Sequence, residues 1–196
     1  MEDKILNLFA YHESLSFSQI QKALKIRSNL LSYHLSKLIK SNILAKENNS
    51  YKISSDSEYL VPYLSNKQSV LPVILVHIGN NKKAFLIQRN KRPFKNLFSL
   101  PGGRLLLGES IPQAAERILK EKSSLQISNP KVSQIIHEQV KKKNKIIHSF
   151  LLIVVKAKAQ IPLQNIQKLK KQIISSDYNI ITQKSSKSLK EVITKI

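Results

Sequence analysis

The chain has 196 residues, 41% of them hydrophobic, enough for one large or two small domains with real cores. Lys+Arg number 33 against 12 Asp+Glu, a formal net charge of +21, which favours anionic partners and disfavours any site needing many carboxylates. There is no cysteine, which excludes disulfides and thiolate metal centres. The apolar run FLLIVV at 150–155 is too short to span a bilayer. The opening MEDKILNLFAYHES is acidic and then helical in pattern, unlike a secretory leader. The expectation is a cytoplasmic protein with no membrane partner.

Charge divides the chain. Residues 1–65 carry 8 Lys+Arg and 6 Asp+Glu, a net of +2, and residues 66–196 carry the remaining 25 and 6, a net of +19. The expectation is two domains with these bounds. In the first, Ile5, Leu8 and Phe9 predict a helix over 3–11. A second helix starts near Ser16 or Ser18, since Ser16/Gln19 and Ser18/Gln21 both have capping-box spacing. A third runs from about Asn29 to Ser41, with Leu31, Leu35 and Leu38 as its buried seam and Asn42 as its left-handed stop. Its other side shows Asn29, Ser32, Tyr33, Ser36 and Lys37, groups able to bond bases and phosphates. Residues 43–47 and 50–53 read as strands joined at Asn48-Asn49.

The segment IRSNLLSYHLSKLIKSNIL at 26–44, with its S-Y-H-L-x-K-L core, resembles the recognition segment of ArsR-type winged helix-turn-helix regulators. That resemblance implies operator DNA as partner, a homodimer, and a third helix in the major groove. It implies DNA contacts from Arg27, Asn29, Ser32, Tyr33 and Lys37, with Lys46 and Lys52 in the wing. His34 has two readings, a phosphate contact or packing at the core edge. A winged helix used only for protein contacts is the alternative to DNA binding.

Residues 54–69 read as a short helix or turn followed by a linker. Val70 to Ile78 and Lys83 to Gln88 are β-rich around Gly79-Asn80-Asn81. A basic loop follows, with Arg89, Lys91, Arg92 and Lys95. Three of the four glycines, Gly102, Gly103 and Gly108, fall in LPGGRLLLGESIPQAAERILKEKSSL at 100–125. Ser110 and Gln113 there have capping-box spacing, and Ile111, Ala114, Ala115, Ile118 and Leu119 give a helix one apolar face. Lys131 to Gln139 and Lys145 to Lys156 read as a hairpin with a lysine-rich tip. Residues 163–174 read as a helix with Leu163, Ile166, Leu169 and Ile173 inward. Ser176-Asp177 can start another helix, and the tail from Ser186 reads as an amphipathic helix.

The stretch 100–125 resembles the Nudix box, G-x5-E-x7-R-E-U-x-E-E-x-G-U, with U a bulky aliphatic. Gly103, Glu109, Arg117, Leu119, Glu121 and Leu125 match it. The resemblance implies an α/β/α sandwich around a mixed sheet, so the expected architecture is two-domain α/β, a winged helix of three helices and a β-hairpin followed by the Nudix sandwich. It implies ligand contacts from Arg89, Gly102, Gly103, Arg104, Glu109, Arg117 and Glu121. The departures are Ile118 and Lys122 where the box has Glu, and Ser124 where it has Gly.

Active members of the family present carboxylates to divalent cations from this helix. Here positions 118, 121 and 122 offer a hydrocarbon, one carboxylate and an ammonium. The favoured expectation is a regulator whose degenerate Nudix domain senses a phosphorylated nucleoside, such as an ADP-ribose-like compound. The alternative is an active Mg2+-dependent hydrolase, with Glu121 as metal ligand and Glu109, Glu116 or Glu138 completing the shell. A third reading is RNA binding by the +19 region. No cofactor is required outside the hydrolase reading.

Overall fold

The structure is a computed structural model and describes residues 1–64, 69–183 and 190–195. The chain forms two compact units, Met1–Gln68 and Ser69–Ile196.

The first unit contains α1 (Glu2–Phe9), β1 (Leu15–Ser16), α2 (Phe17–Leu24), α3 (Ser28–Lys40), β2 (Leu44–Glu47), β3 (Ser50–Ile53) and a 3-10 helix at Ser55–Tyr63. Of the two cap spacings, Ser16 is used. Its Oγ accepts from Gln19 N, and Gln19 Oε1 accepts from Ser16 N at 2.7 Å. Lys25 ends α2 at φ 52°, and Asn42 follows α3 at φ 57°. The leucine seam of α3 packs with Ile5, Phe9, Ile20 and Leu44 in one core. Each such side chain contributes roughly 1.5–3 kcal/mol by leaving water. The strands form a small antiparallel sheet in the order β1-β3-β2.

The second unit contains β4 (Leu71–His77), β5 (Lys83–Ala84), β6 (Ile87–Gln88), β7 (Phe98–Ser99), β8 (Gly102–Arg104), α4 (Ile111–Ser123), β9 (Ser128–Lys142), β10 (Lys145–Lys158), β11 (Gln164–Asn165), α5 (Ser175–Thr182) and β12 (Lys190–Lys195). The main sheet has the order β12-β9-β10-β4-β8. It is mixed. β10 runs parallel to β4 and β12 to β9, whereas β9/β10 and β4/β8 are antiparallel. Alternation along β4 sends Ile74 and Val76 to α4, where they meet Ala114, Ala115, Ile118 and Leu119. Leu75 faces the other way, into a core with Leu152, Val154 and the α5 residues Ile180 and Ile181. A helix therefore covers each face, and β4 is apolar on both sides, as a central strand must be.

Two expectations are corrected. Residues 163–174 hold β11 and a 3-10 turn at Lys170–Gln172, not a continuous helix. Side chains there bind backbone and compete with helical hydrogen bonds. Gln164 accepts from Leu86 N at 2.9 Å and donates to Leu86 O at 3.1 Å, and Asn165 Oδ1 accepts from Gln167 N. Ile166 and Ile173 still point inward. The tail is the second correction. Over 190–195 its backbone is a strand beside β9, where it covers an edge that would otherwise stay unpaired. The start of the predicted tail helix, 186–189, lies outside the described residues, as does 65–68 of the predicted linker.

Sheet and helix approach closely at Gly103. A Cβ built there would lie 2.8 Å from Ile118 Cγ1 and 3.1 Å from its Cδ1. Gly103→Ala should therefore overpack the core and cost about 1–3 kcal/mol. Paired with Ile118→Ala it should cost clearly less than the two single changes summed, because one vacates what the other fills. Chemical denaturation of the four proteins measures this, and strict additivity would contradict the contact.

Candidate functional site

The loop entering α4 is held by its own residues. Ser110 caps the helix through a box with Gln113, Ser110 N donating to Gln113 Oε1 at 2.8 Å. Gly108 turns the chain at φ +80° with open space around it. Glu109 accepts from Leu106 N at 2.7 Å and from Arg117 Nη2 and Nε at 2.6 and 2.8 Å. Arg117 Nη2 also donates to Arg104 O at 2.9 Å, and Nη1 lies 3.4 Å from Glu121. The Arg117 guanidinium holds the Glu109 carboxyl below its usual range, and Glu109 in turn raises Arg117. Glu109 and Arg117 are thus committed to shaping the loop. Gly102 and Gly103 lie in β8, with Leu75 and Ile118 where their side chains would be, so their smallness serves packing.

A divalent cation does not fit the α4 residues. Ile118 is fully buried beneath the helix. Glu121 is exposed and shares its charge with Arg117. Lys122 is exposed by area yet enclosed enough that lost solvation lowers its pKa, with the Arg89 and Lys91 charges adding and Glu121 opposing. The shell expected for a hydrolase is not assembled. Glu138 sits across the sheet in a different core, and among the described residues no group of three His, Cys, Asp or Glu could hold a metal. Magnesium requires several hard oxygens, and positions 118, 121 and 122 offer one carboxylate beside an ammonium.

On the face covered by α5 lies a cavity of about 100 Å³, lined by Arg89, Phe94, Ser99, Glu138, Phe150 and Asp177 among others. It is smaller than the ~300–1,000 Å³ of a whole drug-sized ligand site, so it suits one ring system. Asp177 accepts from Leu100 N at 2.7 Å and Glu138 accepts from Thr194 Oγ1 at 2.6 Å. Among the described residues the hydroxyls of Ser99 and Ser176 are buried without a partner, which is uncommon in a finished core. Burial pushes Asp177 up to about 7, the Leu100 N–H and Arg89 opposing and Glu138 adding. Arg89 anchors its Nε on Pro93 O at 3.0 Å and acts electrostatically on both Asp177 and Lys122. It joins the cavity to the end of α4.

Sequence reasoning singled out Arg89 but missed Asp177, Ser176, Ser99 and Phe150. Ser176-Asp177 reads as a helix start, and nothing local shows that this Asp is buried.

In the first unit, Arg27, Asn29, Ser32 and Tyr33 are exposed at the start and outer face of α3. Lys37 is paired with Glu2 at 2.8 Å and Lys52 with Glu47 at 2.6 Å, while Lys46 lies over the Tyr51 ring. His34 packs at the core edge, its Nδ1 3.3 Å from Glu2.

Asp177 supplies a pH test. Its folded value, about 7, lies above the ordinary 3.8, so the folded state retains a proton that the unfolded chain releases between them. Its contribution to stability is complete below the lower value and is lost as pH rises through the upper one. Thermal melts should show wild-type stability falling between about pH 4 and about pH 7 relative to Asp177→Asn, whose amide keeps a donor and an acceptor. Parallel pH profiles of the two proteins would contradict a buried neutral Asp177.

A model of the NUDIX domain matches residues 69–171, more than half of the chain. An ADP-ribose pyrophosphatase from Methanocaldococcus jannaschii is 39% identical over 59 residues, which is 30% of this chain and 33% of that protein. The match thus spans about a third of the relative's length. Among solved structures, a NUDIX hydrolase from Nitrosomonas europaea aligns at 13% identity and a TM-score of 0.49, covering 66% of this chain and 82% of that one. The NUDIX domain of Shewanella oneidensis NrtR, solved with ADP ribose, aligns at 18% identity and a TM-score of 0.48, covering 61% and 92%. No helix among the described residues is long and apolar enough to cross a membrane. With the domain model covering β4, β8, β9 and β10 of the mixed sheet and the capped helix beside them, the chain belongs to the Nudix family.

Proposed function

We propose that the protein is a DNA-binding regulator whose Nudix domain binds a phosphorylated nucleoside and does not hydrolyse it. The observation that carries this is Arg89, which lines a mainly apolar cavity with polar groups set in its wall and acts electrostatically on Lys122 of a box helix that has Ile118 and Lys122 where the box has Glu. The cavity takes the base. Phe94 and Phe150 offer ring faces, neutral Asp177 a donor, Glu138 an acceptor, and the Ser99 and Ser176 hydroxyls either role. Phosphates then lie toward Arg89 and Arg104, whose planar forks suit them. Glu109 and Arg117 keep the loop in shape for that contact. The ADP-ribose pyrophosphatase relative makes ADP-ribose the first ligand to test.

The first unit, read as a winged helix, presents Asn29, Ser32 and Tyr33 to bases, with Arg27 and the wing lysines Lys46 and Lys52 toward phosphates. A homodimer supplies two such helices, and ligand binding shifts their relative placement. In the free protein Glu2 neutralises Lys37, so this lysine must exchange a carboxylate for a phosphate on binding DNA.

The hydrolase reading keeps Glu121 as the surviving ligand and Mg2+ as cofactor, and has Glu109 as its other catalytic carboxylate. Full-length protein incubated with ADP-ribose and Mg2+ should release no phosphate-bearing product. Turnover abolished by Glu121→Gln would overturn the sensor reading. In fluorescence anisotropy the protein should bind its own promoter DNA in a salt-sensitive way. Asn29→Ala or Tyr33→Ala should weaken that binding by roughly 1–3 kcal/mol, and Glu2→Gln should strengthen it. Unchanged affinity across all three would remove α3 from the DNA.

A further inference from the structure

We infer that the recess lined by His77, Lys131 and Lys156 is a second binding site in the Nudix unit, one that takes the terminal phosphate of a small phosphomonoester. It shares no lining residue with the cavity of Arg89 and Asp177, so it goes beyond the ligand reading above and does not rest on it.

The register of the sheet builds the site. Lys156 on β10 pairs with His77 on β4 to one side and with Lys131 on β9 to the other. Paired residues point to the same face of a sheet, and neighbouring strands lie roughly 5 Å apart, so the three side chains form one row across three strands. Alternation fixes the face. His77 lies two residues beyond Leu75 and Lys156 two beyond Val154, both members of the core under α5. The row therefore follows the end of that core. An open recess of about 540 Å³ covers it, lined also by Ser133 and Lys158. That volume is ordinary for a small-molecule site. Two lysines directly opposite each other destabilise a strand pair, and an anion seated between them removes that repulsion.

His77 is the second observation. It is only 4% exposed, and among the described residues neither ring nitrogen has a hydrogen-bond partner. Burial, with the Lys156 charge adding and the Asn80 backbone opposing, pushes the ring down to about 4. The Asn80 backbone exerts that pull without a hydrogen bond of ordinary geometry. At neutral pH the imidazole is thus uncharged, with one N–H to donate. A buried donor left unpaired is costly, and a hydrocarbon of similar shape would avoid that cost.

The donors select the ligand. Ser133 Oγ spends its proton on Val154 O at 3.1 Å, so the lysines and the imidazole carry the contact. Two ammoniums and an N–H suit a dianion with several acceptor oxygens, and a phosphomonoester carries about −1.5 to −2 charges at pH 7 on such a group. A ring this deeply buried is reached by a group at the end of a molecule. The phosphodiester of a nucleic-acid strand is flanked on both sides and stays at the rim.

The test is NMR of the full-length protein, with long-range proton–nitrogen spectra reading the His77 ring as inorganic phosphate, methyl phosphate or a single-stranded oligonucleotide with hydroxyl ends is added. Methyl phosphate has no base to draw it to the other cavity, and the oligonucleotide offers only diesters. The first two should move the His77 signals saturably, and the oligonucleotide should not. Lys131→Met and Lys156→Met keep the apolar stem, and each should weaken phosphate by roughly threefold or more. His77→Leu should melt at or above the wild-type temperature without phosphate and lose most of the upward shift that phosphate gives the wild type. His77 signals indifferent to both phosphates would overturn the inference, as would unchanged affinity in both lysine variants. A His77→Leu protein that melts well below the wild type would give the imidazole a structural role in place of a binding one. An equal response to the oligonucleotide would make the recess a nucleic-acid groove and overturn the assignment to a phosphomonoester. Failure of ADP-ribose to bind would remove the sensor reading and leave this site standing.

Discussion

Gly103 and Ile118 bring the sheet and the box helix into close contact, and the seating of α4 depends on it. The absence of a Cβ on β8 lets α4 settle onto Ile74, Val76 and Ile153. Ile118 fills the space with hydrocarbon and is completely removed from water. A carboxylate at this position would have to be paired or solvated, since burying an isolated charge costs far more than one core contact contributes. The substitution therefore trades a cation ligand for core, and the same change that stabilises the helix removes an oxygen from its chemistry.

Charge follows the same division. Burial of Asp177 disfavours its ionisation and pushes it up to about 7, with Glu138 adding and the Leu100 N–H and Arg89 opposing. At the end of α4 lost solvation and the Arg89 and Lys91 charges disfavour the charge of Lys122, with Glu121 opposing. Arg89 lines the mainly apolar cavity that holds Asp177 and Glu138 and also acts electrostatically on Lys122. A ligand with a base at one end and phosphates at the other matches that polarity.

Much of this was legible in the sequence. The capping boxes at Ser16 and Ser110, the leucine seam of α3 and the left-handed Asn42 rest on local chemistry, and they formed as their spacing implies. Arg89 was a candidate for a ligand contact from its position just before the glycine turn, and it lines the cavity on the α5 face. The segment around 163–174 was misread because an apolar repeat does not reveal that Gln164 and Asn165 bind backbone elsewhere. The tail misled for a similar reason. Leu189, Val192, Ile193 and Ile196 suit a helix face, but the open edge of β9 sets the backbone of 190–195. Asp177 was invisible as a site residue because its burial arises from β7, β9 and α5 coming together, which no local window contains.

The account turns on whether α4 is a cation ligand at all. Electron paramagnetic resonance of Mn2+ titrated into the full-length protein, alone and with saturating ADP-ribose, measures this directly. The account predicts the undiminished signal of aqueous Mn2+ in the protein alone, and no protein-bound population that depends on Glu121 when ligand is present. A bound Mn2+ population that disappears in Glu121→Gln would contradict it and make the box helix a metal centre.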